Sequence, residues 1–118
     1  MTTPTPSPQP GPQAVPNTTL DTYDHDAVLL DVREPGEFAA GHAPGALHIP
    51  LGQLPERLGE IPAGPIVVTC KMGGRASKAT AVLRTAGRDA VNLQGGMREW
   101  ADSGRPMVSE RGGQPEII

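Results

Sequence analysis

The amino-acid sequence predicts an α/β domain, a mostly parallel central sheet with helices on both faces. Three observations predict it. Two short aliphatic runs, Ala27 to Leu30 and Ile66 to Thr69, have the continuous apolar character of strands covered on both sides. A stretch of helical period begins at Arg75, directly after the second run. Shorter strand and helix patterns alternate through the rest of the chain, as βαβ units require.

Taken in order, Asn17 is read as capping a short helical turn through Leu20 and Tyr23. The strand at Ala27 to Leu30 follows. Pro35 suits the first turn of a helix that runs through Phe38 and stops at Gly41. Ala46 to Ile49 is a short strand ahead of Pro50, and Leu54 to Leu58 a short helix. Ile66 to Thr69, three β-branched aliphatics and a threonine, enters through Gly64 and Pro65. In the helix that follows, Ala76, Ala79, Val82, Leu83 and Ala86 share one face, and Gly87 is placed to end it. Val91 to Leu93 is a further strand. A last helix spans residues 96–103, closed by Gly104 and Pro106.

A chain of 118 residues holds one domain, able to bury roughly two-thirds of its unfolded surface. Its first sixteen residues carry Pro4, Pro6, Pro8, Pro10, Pro12 and Pro16. That composition predicts an extended, disordered tail over 1–16, a domain over 17–108 and a short tail over 109–118. No run reaches the apolar length of a membrane span, and the N-terminus has neither a basic start nor an apolar centre, so a cytoplasmic protein is expected.

A net charge of −3 and only three aromatic residues argue against nucleic acid as a partner. Residues 1–60 carry two basic against eight acidic side chains, and residues 61–118 carry eight against five. Positive charge gathers in the half that holds the single cysteine, favouring an anionic substrate there.

That cysteine lies in VVTCKMGGRASKA, residues 67 to 79. One cysteine excludes an internal disulfide, leaving Cys70 as an inert core residue, a reactive thiol or an intermolecular link. Its place just past a strand, at the end of a parallel sheet where ligands bind, favours reactivity. The thiolate is the nucleophile, and a free thiol with a pKa of about 8.5 is mostly protonated at neutral pH. A tight loop entering a helix can supply the missing stabilisation. The N–H groups of Lys71, Met72, Gly73, Gly74 and Arg75 turn inward as an anion-binding nest, aided by the helix dipole. The side chains of Arg75 and Lys71 add positive charge. Met72 itself is a packing residue or an exposed loop tip.

CKMGGRA resembles the active-site loop of the rhodanese family of sulfurtransferases. DVREPGEFAAGHAPGALHIP, residues 31–50, is similar to that family's strand-end and helix signature, and NLQGGMREWADSGRPM, residues 92–107, resembles its closing segment. The resemblance implies a single rhodanese-like domain. In it Cys70 takes sulfur from a small anionic donor such as thiosulfate, holds it as a persulfide, and passes it to a thiol, a protein acceptor or cyanide. It needs no metal and no organic cofactor. Phosphatases and arsenate reductases of the same fold are the alternative, but their loops resemble Cys-x5-Arg, whereas Cys70 and Arg75 enclose four residues; arsenate reduction also lacks a second cysteine. A catalytically quiet sulfur-relay or binding module is a third class.

Around the loop, Asp31, Arg33 and His42 are supporting candidates. Asp31 is expected to pair with Arg33 or Arg75, and His42 to serve as a hydrogen-bonding loop histidine rather than a proton shuttle. Glu37 belongs to the same signature. Gly95 and Gly96 are expected to make a turn at the edge of the site, and Trp100 to anchor the last helix. The chain departs from the family pattern at Ala43, where a larger aliphatic is common, and at Ala76, where serine is frequent. The latter leaves Thr69 and Ser77 as the nearby hydroxyls.

Overall fold

The computed structural model describes residues 15–118. Five strands form one parallel sheet: β1 (Asn17–Thr18), β2 (Val28–Asp31), β3 (Leu47–His48), β4 (Ile66–Thr69) and β5 (Ala90–Leu93), in the order β1-β5-β4-β2-β3. The helices are α1 (Pro35–Ala40), α2 (Gly74–Thr85) and α3 (Gly96–Asp102). The architecture is the expected one, and its cause is visible in β4, where every side chain is buried. Alternate residues point to opposite faces. Ile66 and Val68 join Ala76, Ala79 and Leu83 of α2 in one apolar layer, while Val67 joins Met97 and Trp100 of α3 in the other.

Registry places the functional end of the sheet. Leu30 pairs with Val68 and Asp31 with Thr69, so β2 and β4 finish level, and the chain leaves both at the same edge. Cys70 is the residue after β4 and belongs to the α2 layer.

Two local expectations are corrected. Asn17 does not cap a helical turn; it lies in β1 opposite Asn92. The edge of β5 would otherwise leave backbone groups unpaired, and Pro16 and Thr18 carbonyls accept from Asn92 and Gln94 N–H at 2.9 Å each. The turn starts later, with Tyr23 N–H donating to the Thr19 carbonyl at 2.9 Å. Leu54 to Leu58 is not a helix either. Two 3₁₀ turns, Leu51–Gln53 and Leu58–Glu60, flank it, because Pro55 lacks an N–H to continue a ladder.

The proline-rich segment through residue 14 lies outside the described residues. Val15 is buried. At the other end, residues 109–118 run back along α1: Glu110 N–H donates to the Ala39 carbonyl at 2.9 Å and Glu116 N–H to the Ala40 carbonyl at 3.0 Å. This strap passes so close to Gly41 that a Cβ there would sit 2.5 Å from the Glu116 carbonyl oxygen. No helix among the described residues is long and apolar enough to cross a membrane.

Candidate active site

Cys70 ends the buried run of β4, and its side chain is 1% exposed. The chain then curls through Gly73, whose φ of +117° is a conformation that side chains with a Cβ rarely adopt, and enters α2 at Gly74. The curl turns two amides onto the sulfur. Gly73 N–H donates to Sγ at 3.1 Å and Ala76 N–H at 3.3 Å. Gly73 belongs to the expected nest, whereas Ala76 lies one residue beyond it, in the first turn of α2.

The carbonyls of the same loop face the other way, and α3 is what holds them. Met97 N–H donates to the Cys70 carbonyl at 2.7 Å and Arg98 N–H to the Lys71 carbonyl at 2.9 Å. This docking needs Gly96: its φ is +57°, and a Cβ on it would lie 2.5 Å from the Cys70 carbonyl oxygen. The paired glycines thus do more than turn the chain at the edge of the site. They let a helix N-terminus draw the loop's acceptors away from the sulfur and leave its donors facing it.

Arg75 is turned to a partner. Its Nη1 and Nη2 reach the two carboxylate oxygens of Glu37 at 2.6 and 2.9 Å. Glu37 Oε1 also accepts from Glu34 N–H at 3.0 Å, so one carboxylate caps α1 and anchors the loop. The hydrogen bond from Arg75 dominates and holds the Glu37 carboxyl down to about 2, against burial pushing the other way. Glu37 in turn raises Arg75, with smaller contributions from Cys70 and Glu34. The charge of Arg75 is therefore compensated by a neighbour rather than left free over the sulfur.

Asp31 pairs with Arg33, not with Arg75. Arg33 is fully buried; Nε lies 3.0 Å from Asp31 Oδ1 and Nη2 lies 2.8 Å from Oδ2. The guanidinium also donates to the Gly41 carbonyl at 2.8 Å, tying β2 to the end of α1. His42 is a hydrogen-bonding histidine, with Nδ1 2.8 Å from the Phe38 carbonyl and its ring stacked on Phe38 at 3.7 Å. His48 stacks on the same Phe38 ring at 4.2 Å. Neither Asp31, Arg33 nor His42 lines the space above the sulfur; they build the scaffold that carries Glu37.

That space is a cleft of about 660 Å³ with Cys70 in its lining, flanked by Lys71, Lys78, Asn92 and Gln94. Met72 is a loop tip, 68% exposed at the mouth. Thr69 Oγ1 donates to the Cys70 carbonyl at 3.3 Å and so does not serve the sulfur, while Ser77 lies in the cleft wall. Lys78 and Asn92 escaped the sequence reading. Asn92 sits one strand away with Nδ2 2.8 Å from Asn17 Oδ1, and a polar side chain inside a strand was its only signal. Lys78 follows from helical spacing, one turn beyond Gly74.

The wider comparisons agree with this geometry. Residues 17–103 match the family model described as a rhodanese-like domain. A sulfurtransferase of Allochromatium vinosum is 40% identical over 89 residues, covering 74% of this chain and 83% of that protein. The chloroplastic thiosulfate sulfurtransferase 16 of Arabidopsis thaliana is 36% identical over 111 residues, covering 78% of this chain and 92% of its own length. The crystal structure of a rhodanese-related protein from Thermoplasma volcanium superposes with a TM-score of 0.67 at 31% identity, over 70% of this chain and 83% of that one. With the loop, the sheet order and the matched residues in accord, the chain belongs to the rhodanese family.

Proposed function

We propose that this protein is a sulfurtransferase in which Cys70 carries a sulfane sulfur from a donor such as thiosulfate to a thiol acceptor, with cyanide as an alternative acceptor. The observation that carries the reading is the pair of amides aimed at Sγ from Gly73 and Ala76, in a loop whose carbonyls are held away by α3.

The chemistry is two displacements at sulfur. The Cys70 thiolate attacks the outer sulfur of thiosulfate; an Sγ–S bond forms, the donor S–S bond breaks, and sulfite leaves with the electron pair. Cys70 then bears a persulfide. An acceptor thiolate attacks the outer sulfur, its new S–S bond forms as the Sγ–S bond breaks, and Cys70 is released as thiolate. No external oxidant or reductant is consumed. The two amide donors stabilise negative charge on Sγ at the start and end of the cycle.

Incubation with thiosulfate is expected to add one sulfur atom to the protein, read by intact mass, and cyanide or a thiol is expected to remove it. Cys70→Ser is expected to abolish the gain. A wild-type protein that takes no sulfur from any sulfane donor would defeat the reading, and hydrolysis of an aryl phosphate by the same protein would replace it with phosphatase chemistry. The four-residue loop and the commitment of Arg75 to Glu37 both speak against the phosphatase, which needs its arginine turned toward the oxyanion.

A further inference from the structure

The chain contains two lysines and eight arginines. Each arginine donates at least one hydrogen bond within the protein. Arg33, Arg57, Arg75 and Arg98 bond carboxylates. Arg84, Arg88, Arg105 and Arg111 bond backbone carbonyls. The two lysines do neither among the described residues, and both line the cleft over Cys70. Lys71 leaves the loop directly after the cysteine, and Lys78 rises from the second turn of α2, exposed to solvent. No aspartate or glutamate shares that lining; Glu99, folded back against Gly95 at the start of α3, borders it. The third cation of the lining, Arg75, is neutralised by Glu37.

Uncompensated positive charge at the cleft is thus confined to two flexible ammonium groups. They suit an anion reached at variable distance, because an ammonium acts as a mobile point charge where a guanidinium demands a fixed fork. The cleft volume, about 660 Å³, falls in the range that holds an organic molecule, and thiosulfate alone leaves most of it unfilled. Resting on the sulfurtransferase reading, we infer that Lys71 and Lys78 select a small carboxylate-bearing thiol as the sulfur acceptor, holding its carboxylate while its sulfur reaches the persulfide of Cys70.

Because Cys70 is the single thiol, charge selection at the cleft can be measured without any sulfur transfer. The rates at which iodoacetate and iodoacetamide alkylate Cys70, followed by intact mass, share the same thiolate fraction, so their ratio reports the charge selection alone. Replacing Lys78 by Gln is expected to lower the iodoacetate-to-iodoacetamide ratio about two- to fivefold, Lys71→Gln by a similar factor, and Lys78→Glu by more than either. High salt is expected to compress the differences. On sulfur-loaded protein, N-acetylcysteine is expected to exceed its neutral amide in kcat/KM expressed per acceptor thiolate, because the carboxylate raises the acceptor's own thiol pKa, and Lys78→Glu to remove that preference.

An alkylation ratio left unchanged by Lys78→Glu would overturn the inference. So would equal kcat/KM values per acceptor thiolate for the two acceptors in the wild type. Failure of the protein to load sulfur from any donor is a separate result: it would strike the sulfurtransferase reading and with it the acceptor assignment, while the alkylation ratio would still decide whether the lysines select charge.

Discussion

Two arginine–carboxylate pairs whose carboxylates, Asp31 and Glu37, are near neighbours in the sequence behave as opposites. Asp31–Arg33 is sealed at the end of β2, with side-chain exposures of 1% and 0%. Glu37–Arg75 joins α1 to the Cys70 loop across 38 positions, with exposures of 18% and 36%. The first pair satisfies every charge locally and adds the Gly41 carbonyl, so it fixes the fold. The second spans two elements and remains in touch with water, so it fixes the position of a loop at modest energetic cost. The difference teaches that burial, not ion-pair chemistry, separates a scaffold contact from a site contact here.

Mutation at the sealed pair should have the largest effect. Arg33→Ala leaves Asp31 charged and unpartnered in the interior, and a loss of about 3–5 kcal/mol in denaturant unfolding is expected. Replacing both residues by apolar ones of similar volume should cost markedly less. A small loss for Arg33→Ala alone would erase the contrast with the second pair.

Arg75→Ala comes next and should divide differently. Unfolding free energy is expected to fall by only about 1 kcal/mol, while single-turnover loading of Cys70 from thiosulfate slows by a factor of ten or more, since about 1 Å of misplacement in a reacting loop can cost a hundredfold. Equal losses in stability and rate would make the pair a scaffold contact after all. Gly96→Ala tests the same loop from the opposite side. It places a Cβ against the Cys70 and Lys71 carbonyls and should slow loading, with an intact far-UV spectrum distinguishing displacement of the loop from unfolding.

The smallest effect is pH dependence. Glu37 lies at about 2 in the folded protein against an ordinary 4.5. Its folded value is lowered, so its stabilisation is complete above about 4.5 and is lost as pH falls toward 2. Screening at this partly exposed site limits the contribution to about 1 kcal/mol or less. Glu37→Gln should flatten the acid limb of the stability curve by that amount, and an unchanged limb would show that the Arg75 contact is not what holds the carboxyl ionised.

What could be read in the sequence divides along the same line, between local and long-range causes. β4, α1 and α2 were legible because aliphatic runs, Pro35 and the helical period from Arg75 act within a few residues. Their observed bounds differ from the expected ones by a residue at most. The reading of Asn17 failed because β5, 75 positions away, recruits that segment into the sheet. Within the site, Cys70 and its glycine loop announce themselves through their spacing. The Glu37 fork on Arg75 does not, and neither does the use of α3 amides to orient the loop carbonyls. Each depends on which elements meet after folding, and no periodicity records that.

The sunken position of the sulfur has a last consequence. With Cys70 lining the cleft and 1% exposed, the thiols of two copies in this conformation lie too deep to approach the roughly 2 Å of an S–S bond. Shape rather than chemistry thus disfavours self-crosslinking through the single thiol. Only a reagent slender enough to enter the cleft can come down to it.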